Sequence, residues 1–173
     1  QEGRRSLQTV EDAVKRLEKK GAYANKEPYV KAFAPHMKKD GCYVEIGAGW
    51  GTLAKRLQDE TGATVEIVEP SQLASEVAEK HYKLAVHRGN GEDFMKTAQA
   101  VYDGVILVHV FEHLLDPNEF LASVRRILKP DGLLLFALPN LSNPDEPVEK
   151  YFHIEHTYYY TPLTLSMMLK KHG

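Results

Sequence analysis

Cysteine is almost absent: Cys42 is the only one in 173 residues. A disulfide framework within the chain and a zinc ribbon both need several cysteines at set spacings, so both are excluded, and a reducing compartment is the natural setting. Long apolar runs are also missing. No stretch approaches the ~20 residues that span a bilayer, and the polar start, Gln1 to Ser6, carries no signal-peptide core. A cytoplasmic protein without a membrane span is expected. Charge of one sign is not in excess either, with 22 Lys and Arg against 24 Asp and Glu for a formal net charge of −2. Nucleic-acid binding through a broad basic face is therefore not expected, because phosphate recognition leaves Lys and Arg in surplus. The short clusters Lys19-Lys20 and Lys38-Lys39 read as solvated helix ends.

What is present is one domain's worth of chain in which strand and helix alternate, with 43% hydrophobic residues and no internal repeat. A helix is expected over residues 9 to 20, N-capped by Thr9, with Val10, Ala13, Val14 and Leu17 on one face and Gly21 as its stop. A second is expected from about Pro28 to Lys38. Together residues 1–40 form an expected N-terminal helical cap, and 41–173 the core. Tyr43 to Ile46 reads as a strand, Gly47-Ala48-Gly49-Trp50-Gly51 as a tight turn, and Thr52 to Glu60 as a helix closed by Gly62. Strand two is Thr64 to Val68, followed by Glu69-Pro70 and a helix capped by Ser71 and running to Lys80. Leu84 to His87 and the apolar run Gly104 to Val108 are strands three and four.

Asp116, Pro117 and Glu119 form an N-cap, N1 and N3 signature for a helix whose apolar stripe is Phe120, Leu121, Val124, Ile127 and Leu128. Lys129-Pro130-Asp131-Gly132 reads as a turn and Leu133 to Leu138 as strand five. That strand is too apolar for an unprotected sheet edge, so further strands are expected beyond residue 173. A long polar loop leads to about Tyr160, and Thr161-Pro162 opens a last helix that ends in basic residues with Gly173 at C′.

This alternation predicts an α/β fold, a doubly wound Rossmann-like parallel sheet flanked by helices. Ligands in such sheets bind beyond the carboxyl ends of the strands at the topological switch point. The glycines after strand one permit positive φ and close backbone approach beside a helix N-terminus. Glu69, after strand two, stands where a carboxylate accepts hydrogen bonds from both ribose hydroxyls. A nucleoside ligand follows. Thr52 stands where a dinucleotide G-x-G-x-x-G site has its third glycine, which weakens a nicotinamide-dependent oxidoreductase, and no P-loop pattern occurs.

The segment Val44-Glu45-Ile46-Gly47-Ala48-Gly49-Trp50-Gly51 resembles motif I of the class I S-adenosylmethionine-dependent methyltransferases. The resemblance extends in order through Glu69, Gly89-Asn90-Gly91-Glu92-Asp93-Phe94, Tyr102 to Leu107 and Leu128 to Leu134, over about residues 28–173. Asn90-Gly91 replaces the Asp-Ala usual there. The resemblance implies an S-adenosyl-L-methionine site in which Glu45, Gly47, Ala48, Gly49 and Gly51 serve the methionine part and Glu69 with Pro70 the ribose. It further places Asn90, Gly91 and Glu92 beside the adenine and His109 under the methionine moiety. It implies methyl transfer to a small molecule.

His109-Val110-Phe111-Glu112-His113 also fits the H-x-x-E-H zinc-protease pattern, but it straddles a strand end instead of lying on one helix face. No metal site is assigned from the sequence. The second histidine cluster, His153 and His156 among Tyr151 and Tyr158 to Tyr160, follows strand five and so hangs over the same sheet edge. His113 and His156 are the candidate general bases for a hydroxyl acceptor such as a sugar or glycan precursor, with Glu112, Asn140, His153 and Tyr158 lining the acceptor pocket. The same side chains could instead hold a divalent metal that orients substrate hydroxyls. Asn140-Leu141-Ser142 fits a glycosylation sequon but reads as a turn. Trp50 is either a cofactor lid or packing for the N-terminal helices. The reading that differs in class is a non-catalytic scaffold or sensor that binds the same cofactor.

Overall fold

A computed structural model describes residues 9–19, 21, 24–99, 101–144, 147, 152 and 154–172. The expected helix end at Lys20, the site residue His153, Tyr151 and the terminal Gly173 lie outside the described residues. Helix α1 covers Val10–Lys19, and Thr9 caps it as expected, its Oγ1 accepting from the Asp12 N–H at 3.1 Å. Helix α2 covers Glu27–Phe33 and is shorter than its sequence suggests. The chain tightens into a 3-10 turn at Ala34–His36, where Pro35 lacks the N–H that an α-helix would need.

The sheet is built from β1 (Cys42–Ile46), β2 (Thr64–Glu69), β3 (Val86–Arg88), β4 (Tyr102–Val108) and β5 (Leu128–Ala137). All neighbours pair in parallel, in the order β3-β2-β1-β4-β5. The connecting helices are α3 (Thr52–Thr61), α4 (Gln72–Lys80), α5 (Gly91–Thr97) and α6 (Pro117–Ile127), and α7 (Pro162–His172) closes the described chain. The caps read from sequence are in place: Gly62 in the left-handed region after α3, the Ser71 side chain at α4, and Asp116 accepting from Asn118 and Glu119 N–H at α6.

Alternation along the central strands divides the core between the two faces of the sheet. Tyr43, Val65, Ile67 and Ile106 pack with Ala13, Val30, Leu53, Leu57 and Val77 from α1 to α4. Val44, Ile46, Val105 and Leu107 pack with Met95, Phe120, Val124 and Ile127 from α5 and α6, and Leu165 and Met168 of α7 lean on the same cluster. Burial on both sides explains the near-continuous apolar run of β4. At the amino ends of the strands, Asp103 ties three elements together. Its Oδ2 accepts from the Cys42 N–H at 3.0 Å and from Lys129 Nζ at 2.7 Å, and these donors hold its carboxyl below the usual range.

Two expectations need correction. Lys129 to Gly132 does not separate α6 from β5 as a free turn; it lies inside β5 as a register shift, across which β4 advances from Tyr102 to Gly104 while β5 advances from Leu128 to Leu133. A Pro and a Gly in a strand mark such an irregularity. Strand three starts at Val86 instead of Leu84, because Lys83 takes a positive φ of 58° and Leu84 bonds back to Ala78.

Candidate active site at the carboxyl edge of the sheet

The strand order reverses between β1 and β4, and the loops that leave these two neighbours meet. Gly47, Gly49 and Gly51 all have positive φ, at 66°, 56° and 76°. For Gly47 and Gly51 space is a second reason: a Cβ would stand 2.6 Å from Val110 Cγ2 or 2.7 Å from Leu84 Cδ1. At Gly49 a Cβ would meet nothing within 4 Å, so there the glycine loop borders open space. The loop is anchored to β2, with the Gly47 N–H donating to the Val68 carbonyl at 2.8 Å.

Glu69, 7% exposed, closes that anchor: its Oε2 accepts from the Gly49 N–H at 2.7 Å and its Oε1 from the Ser71 N–H at 2.8 Å. Pro70 follows on the surface. Behind the loop, Glu45 is 4% exposed, and burial pushes its carboxyl up to about 8 even though the Ala54 N–H of α3 bonds to it. The carboxyl group at the N-terminal turn of α3 is therefore one of the chain's own. Glu45 Oε2 has no hydrogen-bond partner among the described residues. Half-buried Ala48 and Trp50 pack against the core face that carries α1 to α4.

After β3, Asn90 caps α5, its side-chain oxygen accepting from the Asp93 N–H at 2.8 Å. Sequence reading missed this short helix, although an Asn followed by Glu and Asp was a usable start signal. Gly91 is required by packing, since a Cβ would lie 2.3 Å from Ile46 Cγ2. Glu92 turns to the neighbouring loop, where its Oε1 accepts from Leu115 and Asp116 N–H at 3.1 and 3.2 Å.

After β4, His109 takes a positive φ of 56°. Its Nε2 lies 2.9 Å from the hydroxyl of Tyr29, and its Nδ1 lies 3.4 Å from Glu112 Oε1. Tyr29, from α2, is the site neighbour that sequence reading did not single out; no periodicity points at a half-buried tyrosine eighty positions away. A 3-10 turn at Phe111–His113 follows and buries Glu112 to 2% exposure. The loop after β5 is pinned onto this turn. Thr157 and Tyr158 N–H both donate to the Glu112 carbonyl, at 2.9 and 3.1 Å, and His113 Nδ1 lies 2.8 Å from the Glu155 carbonyl. The rings of His113 and His156 meet edge-on at 4.8 Å. Tyr158 donates to the Leu115 carbonyl at 3.3 Å, while Asn140 forms a bridge with Tyr160 and holds its own turn by accepting from the Ser142 N–H at 3.0 Å. Tyr160 is buried beside this turn, and desolvation raises its hydroxyl to about 12, with Tyr158 and Glu112 adding to the shift.

A family profile described as a methyltransferase domain matches residues 17–173. The chain belongs to the class I S-adenosylmethionine-dependent methyltransferases. This methyltransferase is 29% identical over 102 residues to a ubiquinone biosynthesis O-methyltransferase of a Caulobacter species, a match covering 56% of the chain and 40% of the relative. It is 36% identical over 101 residues to a malonyl-(acyl-carrier protein) O-methyltransferase of Halalkalibacterium halodurans, covering 54% and 37%. The matched part is thus about two fifths of the length of these curated relatives. Among solved structures, a SAM-dependent methyltransferase from Archaeoglobus fulgidus aligns with a TM-score of 0.72 at 23% identity, over 89% of this chain and 68% of that one. Phosphoethanolamine N-methyltransferase 2 of Haemonchus contortus aligns with a TM-score of 0.71 at 21% identity, over 87% and 36%. Both likenesses are of fold. Among the described residues, no helix is long and apolar enough to cross a membrane.

Proposed function

We propose that this methyltransferase domain transfers the methyl group of S-adenosyl-L-methionine to a hydroxyl of a small molecule or glycan precursor. The observation that carries the reading is the meeting, at one end of the sheet, of a glycine loop bordering open space with the buried Glu112 and its two histidines. The residues fit the cofactor. Gly49 offers backbone without a Cβ, Glu69 a carboxylate at the strand end for ribose hydroxyls, and Glu45 an unpartnered carboxyl oxygen behind the loop. Gly47, Ala48 and Gly51 shape the cradle, Pro70 turns the chain away from the ribose, and Asn90, Gly91 and Glu92 form the adenine side. His109 stands under the methionine part.

When bound, the cofactor supplies an electrophilic methyl on a sulfonium. The chain's own residues then hold the acceptor oxygen in line and relieve it of its proton. The O–CH3 bond forms as the S–CH3 bond breaks, the bonding pair stays on sulfur, and an imidazole of the His113–His156 pair receives the hydroxyl proton. Tyr158 and Asn140 are assigned to the rim of the acceptor pocket, and the N-terminal helices α1 and α2 cover the cofactor side. Oxygen as the acceptor atom is supported by the curated relatives, both of which are named as O-methyltransferases.

The test is thermal unfolding with S-adenosylhomocysteine and, in parallel, with NAD. At 100 times its dissociation constant a ligand adds about 2.7 kcal/mol, which raises the midpoint of a domain this size by roughly 5–11 °C. A shift with S-adenosylhomocysteine alone is expected, followed by turnover in a screen of hydroxylated acceptors. A shift with NAD instead overturns the cofactor assignment, and binding with no turnover on any acceptor class favours the scaffold reading.

A further inference from the structure

Glu112 combines deep burial with an unsatisfied carboxylate. It is 2% exposed, yet among the described residues neither carboxylate oxygen accepts a hydrogen bond; His109 Nδ1 stands 3.4 Å from Oε1. Burying such a group without partners is costly, and native folds satisfy it with donors, water or a cation. The next residue in the chain, His113, has its Nδ1 fixed at 2.8 Å from the Glu155 carbonyl. A carbonyl can only accept, so Nδ1 carries the proton and Nε2 the lone pair. This is the arrangement by which metal-ligating histidines are oriented, their other N–H spent on a carbonyl or carboxylate. His156 comes from the loop after β5, its ring against that of His113. One ligand atom from each of Glu112, His113 and His156 lies within 4.8 Å of the others.

From these three residues we infer that the turn after β4 and the loop after β5 form a binding site for a divalent transition-metal ion of the zinc class. The inference rests on the reading of this sheet end as the acceptor side. The donor set, two imidazoles and a carboxylate, suits Zn²⁺ or Co²⁺ better than Mg²⁺ or Ca²⁺, which prefer oxygen. It also matches catalytic zinc sites, in which three protein ligands leave one position open. Ligand atoms bound at ~2.0–2.2 Å from one ion stand roughly 3.3 Å apart, so binding closes the most widely spaced pair by up to about 1.5 Å. The His109 ring, its Nδ1 beside Glu112 Oε1, then backs the carboxylate from the far side. In the metal-loaded chain an acceptor hydroxyl in the open position ionises more readily and its proton leaves to solvent, which replaces the imidazole step described above; that step belongs to the metal-free chain.

The test uses the whole chain, stripped with a chelator and dialysed. Zn²⁺ is titrated against a chromophoric competitor, and Co²⁺ is followed by its visible absorption. One equivalent of Zn²⁺ per chain is expected, with the intense visible band of four- or five-coordinate Co²⁺. Glu112→Gln and His156→Gln are each expected to weaken Zn²⁺ at least about tenfold while circular dichroism stays native. If Glu112→Gln does not fold, His156→Gln, on the loop side of the cluster, carries the test. Absence of stoichiometric Zn²⁺ binding overturns the site, as does affinity unchanged by the variants or equal binding of Mg²⁺. S-adenosylhomocysteine calorimetry on the same samples separates the two readings: cofactor binding without Zn²⁺ binding sinks only the metal site, whereas failure to bind the cofactor sinks the function proposed above.

Discussion

The Tyr29 hydroxyl and His109 Nε2 stand 2.9 Å apart, joining the second helix of the chain to the turn that leaves the fourth strand. The other ring nitrogen, His109 Nδ1, stands 3.4 Å from the Glu112 carboxylate, so the same imidazole touches both elements. The pair closes the site from the N-terminal side. Tyr29→Phe removes one such bond, worth about 1 kcal/mol. A roughly fivefold loss of S-adenosylhomocysteine affinity is expected by calorimetry; an unchanged affinity would detach α2 from the cofactor site.

The three glycines of the first loop do different work, and alanine substitution separates them. Gly51→Ala combines a left-handed backbone with a contact 2.7 Å from Leu84 Cδ1. It is expected to lower stability by about 2–4 kcal/mol in urea unfolding. Gly49→Ala bears only the backbone cost, about 1–2 kcal/mol, yet its Cβ enters the space assigned to the cofactor. It is therefore expected to lose most S-adenosylhomocysteine binding while remaining folded.

Glu69 both anchors Gly49 and Ser71 and faces the proposed ribose. Glu69→Gln replaces one accepting oxygen by an N–H2 that confronts a backbone N–H. A fall of about 1–3 kcal/mol in unfolding free energy is expected, with at least a tenfold loss of cofactor affinity in the same preparation. Unaltered binding would remove Glu69 from the site.

The buried Glu45 makes stability depend on pH in an uncommon direction. Burial lifts its carboxyl to about 8 in the folded chain, whereas the unfolded chain has an ordinary glutamate, so between these values the folded state binds the extra proton. Its contribution is present below the ordinary glutamate range and is lost as pH rises towards about 8. Asp103, held low by the Cys42 N–H and Lys129, works the other way and only on the acid side, where its contribution is lost as pH falls. Denaturant midpoints measured from pH 5 to 9 should fall in the wild type and flatten in Glu45→Gln. Parallel curves would show that Glu45 is ionised in the folded chain.

Much of this was legible in the sequence because it is local. Pro117 after Asp116, the αL position of Gly62 and the Ser71 cap are fixed by short-range hydrogen bonds and allowed φ values, and the structure has all of them. The glycine loop and the acidic end of β2 could be read in the same way. Sequence signals gave out where two local preferences competed. Pro130 and Gly132 indicate a turn, but the ladder with β4 carries them through as a shift in register.

The sequence by itself determined the succession of strands and of every connecting helix but α5, the buried faces and the glycine turn, since each follows from periodicity and backbone sterics within a few residues. Only the tertiary structure decided which side chains share a site. Parallel pairing brings the ends of β1 and β4 side by side, the loop from 154 to 160 is pinned to Glu112 by two backbone bonds, and Tyr29 arrives from the far end of the chain. These meetings depend on packing between segments distant in sequence, so no local pattern records them.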